Sequence, residues 1–246
     1  MAARTAVLIT LSHGSRHSAA SDGVQRLTEA AGGVLGVPAV AAHLEFTTPD
    51  LTGAAATAAR AGHTRAVVVP LLFTKAFHAT TDVPAAVAAA RENTGVELIL
   101  ADGIGQGDDV VKLLAAKLRS DAPDGAHVVL YPVGTSNARA AGATTEFGAR
   151  LAAASGRGVT VVPATGRGEA TGNDGLASVA ASYPRVHVLP LFVTDGLLLD
   201  RARRAVAGIQ DATGARITQS APLTTGLAGI IAARYRGALH ENTRSQ

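Results

Sequence analysis

The chain contains no cysteine and no tryptophan, a single methionine, and aromatic residues amounting to only 3% of its length. Without cysteine there is no disulfide framework, thiolate metal site, thiol nucleophile or cysteine-held iron–sulfur cluster. That composition fits a reducing cytoplasm. Lysine and arginine form no block and are not interleaved with aromatics, and the net charge is only +3. A nucleic-acid partner is therefore not expected, although a small positive balance favours an anionic small molecule. The apolar runs are shorter than the roughly 20 residues a membrane helix needs, and the Met1–Thr5 start lacks the long apolar region of a signal peptide. We expect a soluble, cytoplasmic protein with no membrane partner. Signature motifs are scarce too. The glycines of Gly103-Ile-Gly-Gln-Gly107 are not spaced as G-x-G-x-x-G and no Walker lysine follows them, so they read as a flexible βα loop. A G-x-S-x-G nucleophile turn is also missing, which weighs against a hydrolase.

What the sequence has in quantity is alanine, valine and leucine. Hydrophobic residues make up 47% of its 246 positions and charged residues 17%, enough to bury a core of helices on strands. Short β-branched runs near Ala6–Leu11, Ala39–Leu44, Ala66–Pro70 and Val96–Leu100 alternate with alanine-rich stretches. The same alternation returns near His127–Tyr131, Val159–Val162, Val186–Pro190 and Arg216–Gln219. Apolar strands separated by helices predict βαβ units and a parallel sheet covered on both faces. The fold class expected is α/β, with two doubly wound parallel-sheet lobes. The turn-rich Ser120–Ala126 marks their boundary, so that residues 1–122 form one lobe and 123–246 the other. The polar tail after Tyr235 is expected to fray.

The two halves superpose at a constant offset of 120 positions, as 13 to 133 and 70 to 190. Under that offset Gly14, Arg65, Pro70, Leu71 and Thr74 meet identical residues, whereas His13 meets Val133, Glu45 meets Thr165, His78 meets Leu198 and Asp82 meets Ala202. The frame is duplicated and the chemistry is not. One working site and one supporting copy is the reading this asymmetry favours.

In a doubly wound sheet, ligands sit beyond the carboxyl ends of the strands. His13 closes the first strand, Glu45 the second, and His78 follows the third, so the three share one rim. Two imidazoles and a carboxylate suit a divalent first-row metal with open positions left for a substrate. The carboxylate can alternatively receive protons displaced from a ligand. Asp82, just before Val83-Pro84, is placed to cap a helix and to orient His78 through a hydrogen bond. His43 shares the strand face of Glu45 and makes a weaker candidate. His17, His63, His127, His187 and His240 read as structural or surface residues.

The strand ending in His13-Gly-Ser-Arg16, the Glu45 after strand two, and Pro70-Leu-Leu-Phe followed by His78-x-x-x-Asp82-Val-Pro84 resemble the sirohydrochlorin chelatases of the CbiX/SirB type. The resemblance runs over essentially the whole chain, in a form with two fused halves. It implies a metal chelatase that inserts Co²⁺ or Fe²⁺ into sirohydrochlorin without ATP, in cobalamin or sirohaem synthesis. His13 and His78 would hold the metal, Glu45 would assist deprotonation or delivery, and Asp82 would stand behind them. Ser12, Ser15, Arg16 and Lys75 are candidate donors to the substrate's carboxylates. The metal is a substrate, no prosthetic group is implied, and the fused halves imply a pseudo-dimeric monomer. Two other readings remain open from the residues: a chelatase for another tetrapyrrole of the haem pathway, and a non-catalytic carrier of metal or tetrapyrrole.

Overall fold

In the computed structural model, residues 6–74, 81–166 and 168–244 are described. The first repeat runs β1 (Val7–Ser12), α1 (Ser18–Leu35), β2 (Ala39–His43), α2 (Leu51–Arg60), β3 (Arg65–Pro70), α3 (Val83–Thr94), β4 (Glu97–Leu100) and α4 (Asp108–Asp121). The second runs β5 (His127–Pro132), α5 (Ala138–Ser155), β6 (Val159–Val161), α6 (Gly172–Ser182), β7 (Arg185–Leu191), α7 (Leu197–Thr213), β8 (Arg216–Gln219), a short 3-10 turn (Thr224–Leu227) and α8 (Ala228–Arg244). Each repeat forms a four-stranded parallel sheet, ordered β2-β1-β3-β4 and β6-β5-β7-β8. The 120-residue offset survives in the register, since Leu11 lies opposite Pro70 and Tyr131 opposite Pro190. The doubly wound α/β expectation holds, and the eight strands fall where the apolar runs put them.

Both faces of each sheet are covered, which is why its strands are apolar almost throughout. On one face of the first sheet, Val7, Ile9, Leu11 and Val68 pack against Leu51, Ala54, Ala55 and Ala58 of α2 and Val87 and Ala90 of α3. The second sheet builds its equivalent core from Val129, Tyr131, Val186 and Val188 with Leu176 and Val179 of α6 and Leu199 and Ala202 of α7. Alanine at so many contact positions replaces aromatic bulk with close backbone approach.

The compact units do not coincide with the repeats. One comprises Met1–Gly105 with Thr224–Gln246, and the other Gln106–Leu223. The Ser120–Ala126 turn does separate α4 from β5 as read, but each repeat lends its last helix to the other repeat's unit. In the first unit, α8 packs on α1 and over β3 and β4. The tail is consequently not frayed as expected. It stays helical to Arg244, because Tyr235 and Ala238 are buried and the Tyr235 hydroxyl donates to the carbonyl of Ala6 at 2.6 Å. Arg234, on the same helix, donates from Nε to Gly103 O at 3.0 Å and from Nη2 to Ile104 O at 2.7 Å. The amides of Ile104 and Gly105 reach Pro70 O and Leu72 O. The 103–105 loop, expected to be flexible, is thus fastened on two sides. No helix among the described residues is long and apolar enough to cross a membrane.

In the second unit, α4 packs on α5, and a polar chain runs inward from its end. Ser220 donates to Asp121 Oδ2 at 2.7 Å and lies 2.9 Å from His187 Nε2, while His187 Nδ1 lies 2.8 Å from Thr218 Oγ1. With the Ser220 proton committed to Asp121, Nε2 must donate to Ser220, and Nδ1 is left to accept from Thr218. Burial raises the Asp121 carboxyl, but hydrogen bonds from Ser120, Ser220 and Lys117 outweigh it and hold the group at about 2. Burial pushes His187 down to about 4, with the Asp121 carboxylate opposing and Arg157 and Lys117 reinforcing. The unfolded imidazole takes its proton near 6.5 and the folded one only near 4, so stability is complete above that window and falls as pH drops through it. Urea unfolding between pH 7 and 4 checks this: the midpoint should decline with acid, and the decline should be shallower in His187→Asn.

Candidate active site

The strand order 2-1-3-4 places the topological switch point between β1 and β3, each of which sends its connection to the opposite side of the sheet. His13 follows β1 directly, and the segment after β3 leads toward His78. His78 and Lys75 lie outside the described residues. Within this rim, His13 and Glu45 are carried by two described loops, Ser12–His17 and Leu44–Pro49.

These loops continue the β1–β2 pairing past the strand ends. Leu44 donates its amide to Ser12 O, and Glu45 donates to His13 O, each at 2.9 Å. The two residues that the sequence singles out are thereby joined backbone to backbone. Gly14 makes the approach possible. It sits at φ +92°, and a Cβ there would lie 1.7 Å from Glu45 O, so both its backbone angle and its lack of a side chain are required. The second unit repeats the crossing: Thr165 donates to Val133 O at 2.9 Å, and a Cβ on Gly134, at φ +99°, would lie 2.6 Å from Thr165 O.

Around this crossing the side chains divide by role. His13 is half-buried, whereas Glu45 and Arg16 are exposed. Ser12 is buried, and its hydroxyl meets His43 Nδ1 at 2.7 Å and accepts the Gly14 amide at 3.2 Å. His43 is itself buried at the end of β2, and desolvation lowers its pKa. The shared strand face anticipated for His43 and Glu45 does not extend that far, because β2 ends at His43 and Glu45 lies in the loop beyond. Ser15 is tied into the frame as well: its amide donates to Thr47 Oγ1 at 3.4 Å, its carbonyl accepts from the same hydroxyl at 3.2 Å, and its Oγ accepts the His17 amide at 3.1 Å. Asp82 occupies the N-cap position of α3 with Pro84 in the first turn, but in a helical conformation (φ −73°, ψ −41°) and without a side-chain cap hydrogen bond. Thr81 and Asp82 themselves belong to a wider helical turn, which takes Asp82 out of the extended geometry that capping needs.

One aromatic at the rim carries no motif signal. Phe46, next to Glu45, stacks near His13 with ring centroids 6.1 Å apart and planes 15° from parallel. The Arg16 guanidinium carbon lies 4.6 Å from the centre of the same phenyl ring. Chemically, the rim offers an imidazole, a carboxylate, a cation and an exposed ring within one pair of loops. Among the described residues, no three of His, Cys, Asp and Glu form a group fit to hold a metal ion.

Residues 7–121 match the model of the CbiX family. No curated protein sequence matches the chain. Among solved structures, SirB from Bacillus subtilis with Fe³⁺ is 20% identical, with a TM-score of 0.77 over 98% of this chain and 97% of that one. SirB from Bacillus subtilis subspecies spizizenii in complex with cobalt gives the same four values. CbiX, described as the terminal enzyme for siroheme biosynthesis in denitrifying bacteria, is 18% identical, with a TM-score of 0.68 over 95% of this chain and 99% of that one.

The crossing at Gly14 makes a sharp prediction. Gly14→Ala should lower stability by on the order of 2–3 kcal/mol, since strain and a backbone clash coincide there. Urea unfolding measures it, and an unchanged midpoint would show that the loops separate freely. Residues 7–121, which hold His13 and Glu45, match the CbiX family model, and the chain as a whole shares its fold end to end with SirB.

Proposed function

We propose that this protein inserts a divalent metal, Co²⁺ or Fe²⁺, into sirohydrochlorin without ATP, as a soluble cytoplasmic enzyme of cobalamin or sirohaem synthesis. The observation that carries the reading is the pairing of His13 with Glu45 at the carboxyl rim of a CbiX-family segment. It fits the demands of the reaction. Metallation replaces two pyrrole N–H protons with one M²⁺, so the site must present a metal above the ring and take up protons beside it. His13 and His78 are assigned the metal. Neutral imidazoles bind a first-row ion and still release it, which a closed four-ligand site would not. Glu45, exposed and one hydrogen bond along the backbone from His13, is assigned the protons. Asp82 is assigned the orientation of His78.

For the substrate, Arg16 is the best-placed donor to a peripheral carboxylate, and Lys75 and Ser15 are assigned lesser shares. Ser12, buried with His43, is assigned to the same rim as a support. The catalytic lobe is the repeat of residues 1–122, completed by α8 from the second repeat. Residues 123–246 are its degenerate copy. There Val133, Thr165 and Leu198 stand at the positions of His13, Glu45 and His78, and no second metal site is assigned to this copy. One chain then serves as a pseudo-dimer.

An anaerobic absorbance assay with sirohydrochlorin and either Co²⁺ or Fe²⁺ tests the proposal. Insertion should exceed the spontaneous rate with at least one metal, and failure with both would refute the chelatase reading. His13→Ala should slow insertion by more than about tenfold, and full activity in that variant would remove His13 from the site. Glu45→Gln should lower the rate by on the order of 10²-fold while sparing metal binding. A protein that binds both ligands tightly and metallates nothing, with Glu45→Gln behaving as wild type, would be a carrier instead.

A further inference from the structure

Phe46 is an unusual residue in this chain. Among the described residues only Phe46 and Thr224 have positive φ without being glycine, Phe46 at 61°. Left-handed backbone is unfavourable for an aromatic residue. The ring does not recover that cost by burial, because Phe46 remains 55% exposed. Tyr131, Phe147, Phe192 and Tyr235 are buried, and Tyr183, which is exposed, is stacked on the ring of His127 at 3.7 Å between centroids.

The turn that holds Phe46 outward is fixed from both sides. Thr47 donates its amide to Glu45 O at 2.7 Å, closing a tight turn about Phe46. The Thr47 hydroxyl bridges the amide and carbonyl of Ser15, and Gly14 abuts Glu45 O. The same loop pair that joins His13 to Glu45 therefore also sets the phenyl ring. The centroid separation from His13 is that of an offset pair and not of a closed sandwich. Arg16 stands over the ring as a cation–π partner, which orients the guanidinium and leaves its N–H edges able to meet a carboxylate.

We infer that Phe46 is a substrate-binding residue, whose exposed phenyl ring stacks on a flat conjugated macrocycle while Arg16, held by that ring, takes one of its carboxylates. The inference rests on the chelatase reading above and adds to it the residue that recognises the ring's face. It explains why an aromatic occupies a backbone position that favours glycine, at the one rim where His13 and Glu45 meet.

Equilibrium binding of metal-free sirohydrochlorin, followed by its visible absorbance, tests this in the full-length protein. Phe46→Gly relieves the backbone strain and removes the ring. It should raise Kd and KM about tenfold, the scale of one lost aromatic stack, with a smaller change in kcat and no loss of melting temperature. Phe46→Leu, which keeps apolar bulk without a π face, should be weakened nearly as much, and Phe46→Trp should restore wild-type affinity. A purely structural role predicts the opposite pattern: a lowered melting temperature with Kd within twofold of wild type in both Gly and Leu variants, and that result overturns the inference. If wild type binds and metallates sirohydrochlorin while all three variants bind it equally, only the role of Phe46 fails. If wild type neither binds nor metallates it, the chelatase reading fails and this inference falls with it.

Discussion

Everything at the rim depends on how closely the β1–α1 and β2–α2 loops approach each other. The amide of Glu45 reaches the carbonyl of His13 only because Gly14 has no Cβ and sits at positive φ. A backbone hydrogen bond between loops is short, directional and unforgiving of side-chain bulk. It therefore sets the position of a candidate metal ligand relative to a candidate proton acceptor more firmly than any side-chain contact would. Ser12 with His43 and Ser15 with Thr47 brace this crossing from beneath and from the side.

The second repeat shows that the crossing is scaffold and not chemistry. Gly134 approaches Thr165 in the same way, and Thr165 reaches Val133 O at the same 2.9 Å. The two repeats share the geometry and its hydrogen bond, while Val133 and Thr165 stand where the first repeat has the imidazole and the carboxylate. The exchange of α4 and α8 adds a mutual dependence between repeats. The first unit takes from the second repeat the helix whose Arg234 fastens the 103–105 loop, and that loop is bonded in turn to the chain leaving β3.

Polar groups in the core follow the same economy. His187 is buried, and both ring nitrogens are satisfied through Thr218 and Ser220. Its neutral form is the one the fold accepts, and the carboxylate of Asp121 is reached only through Ser220. His127 is likewise depressed by burial, stacked on Tyr183 and bonded to Thr160. His127 and His187, read from the sequence as structural or surface residues, are each held by hydroxyl partners within the second unit.

The amino-acid sequence by itself determined the strands, the parallel two-sheet architecture, the 120-residue repeat and its chemical asymmetry. These are local or periodic properties: apolar runs, turn residues and the identity of residues at strand ends. The placement of His13 and Glu45 at one rim followed from them, because in a doubly wound sheet every strand's carboxyl end faces the same edge. Only the tertiary structure decided that α8 crosses to the first unit and stays helical to Arg244, since the burial of Tyr235 and Ala238 depends on a partner surface more than two hundred residues away in sequence. It also decided that His43 turns to Ser12, and that Phe46 stands exposed at positive φ. Left-handed backbone is signalled in sequence by glycine or asparagine. A phenylalanine held there by Thr47 and by the approach of Gly14 leaves no local trace.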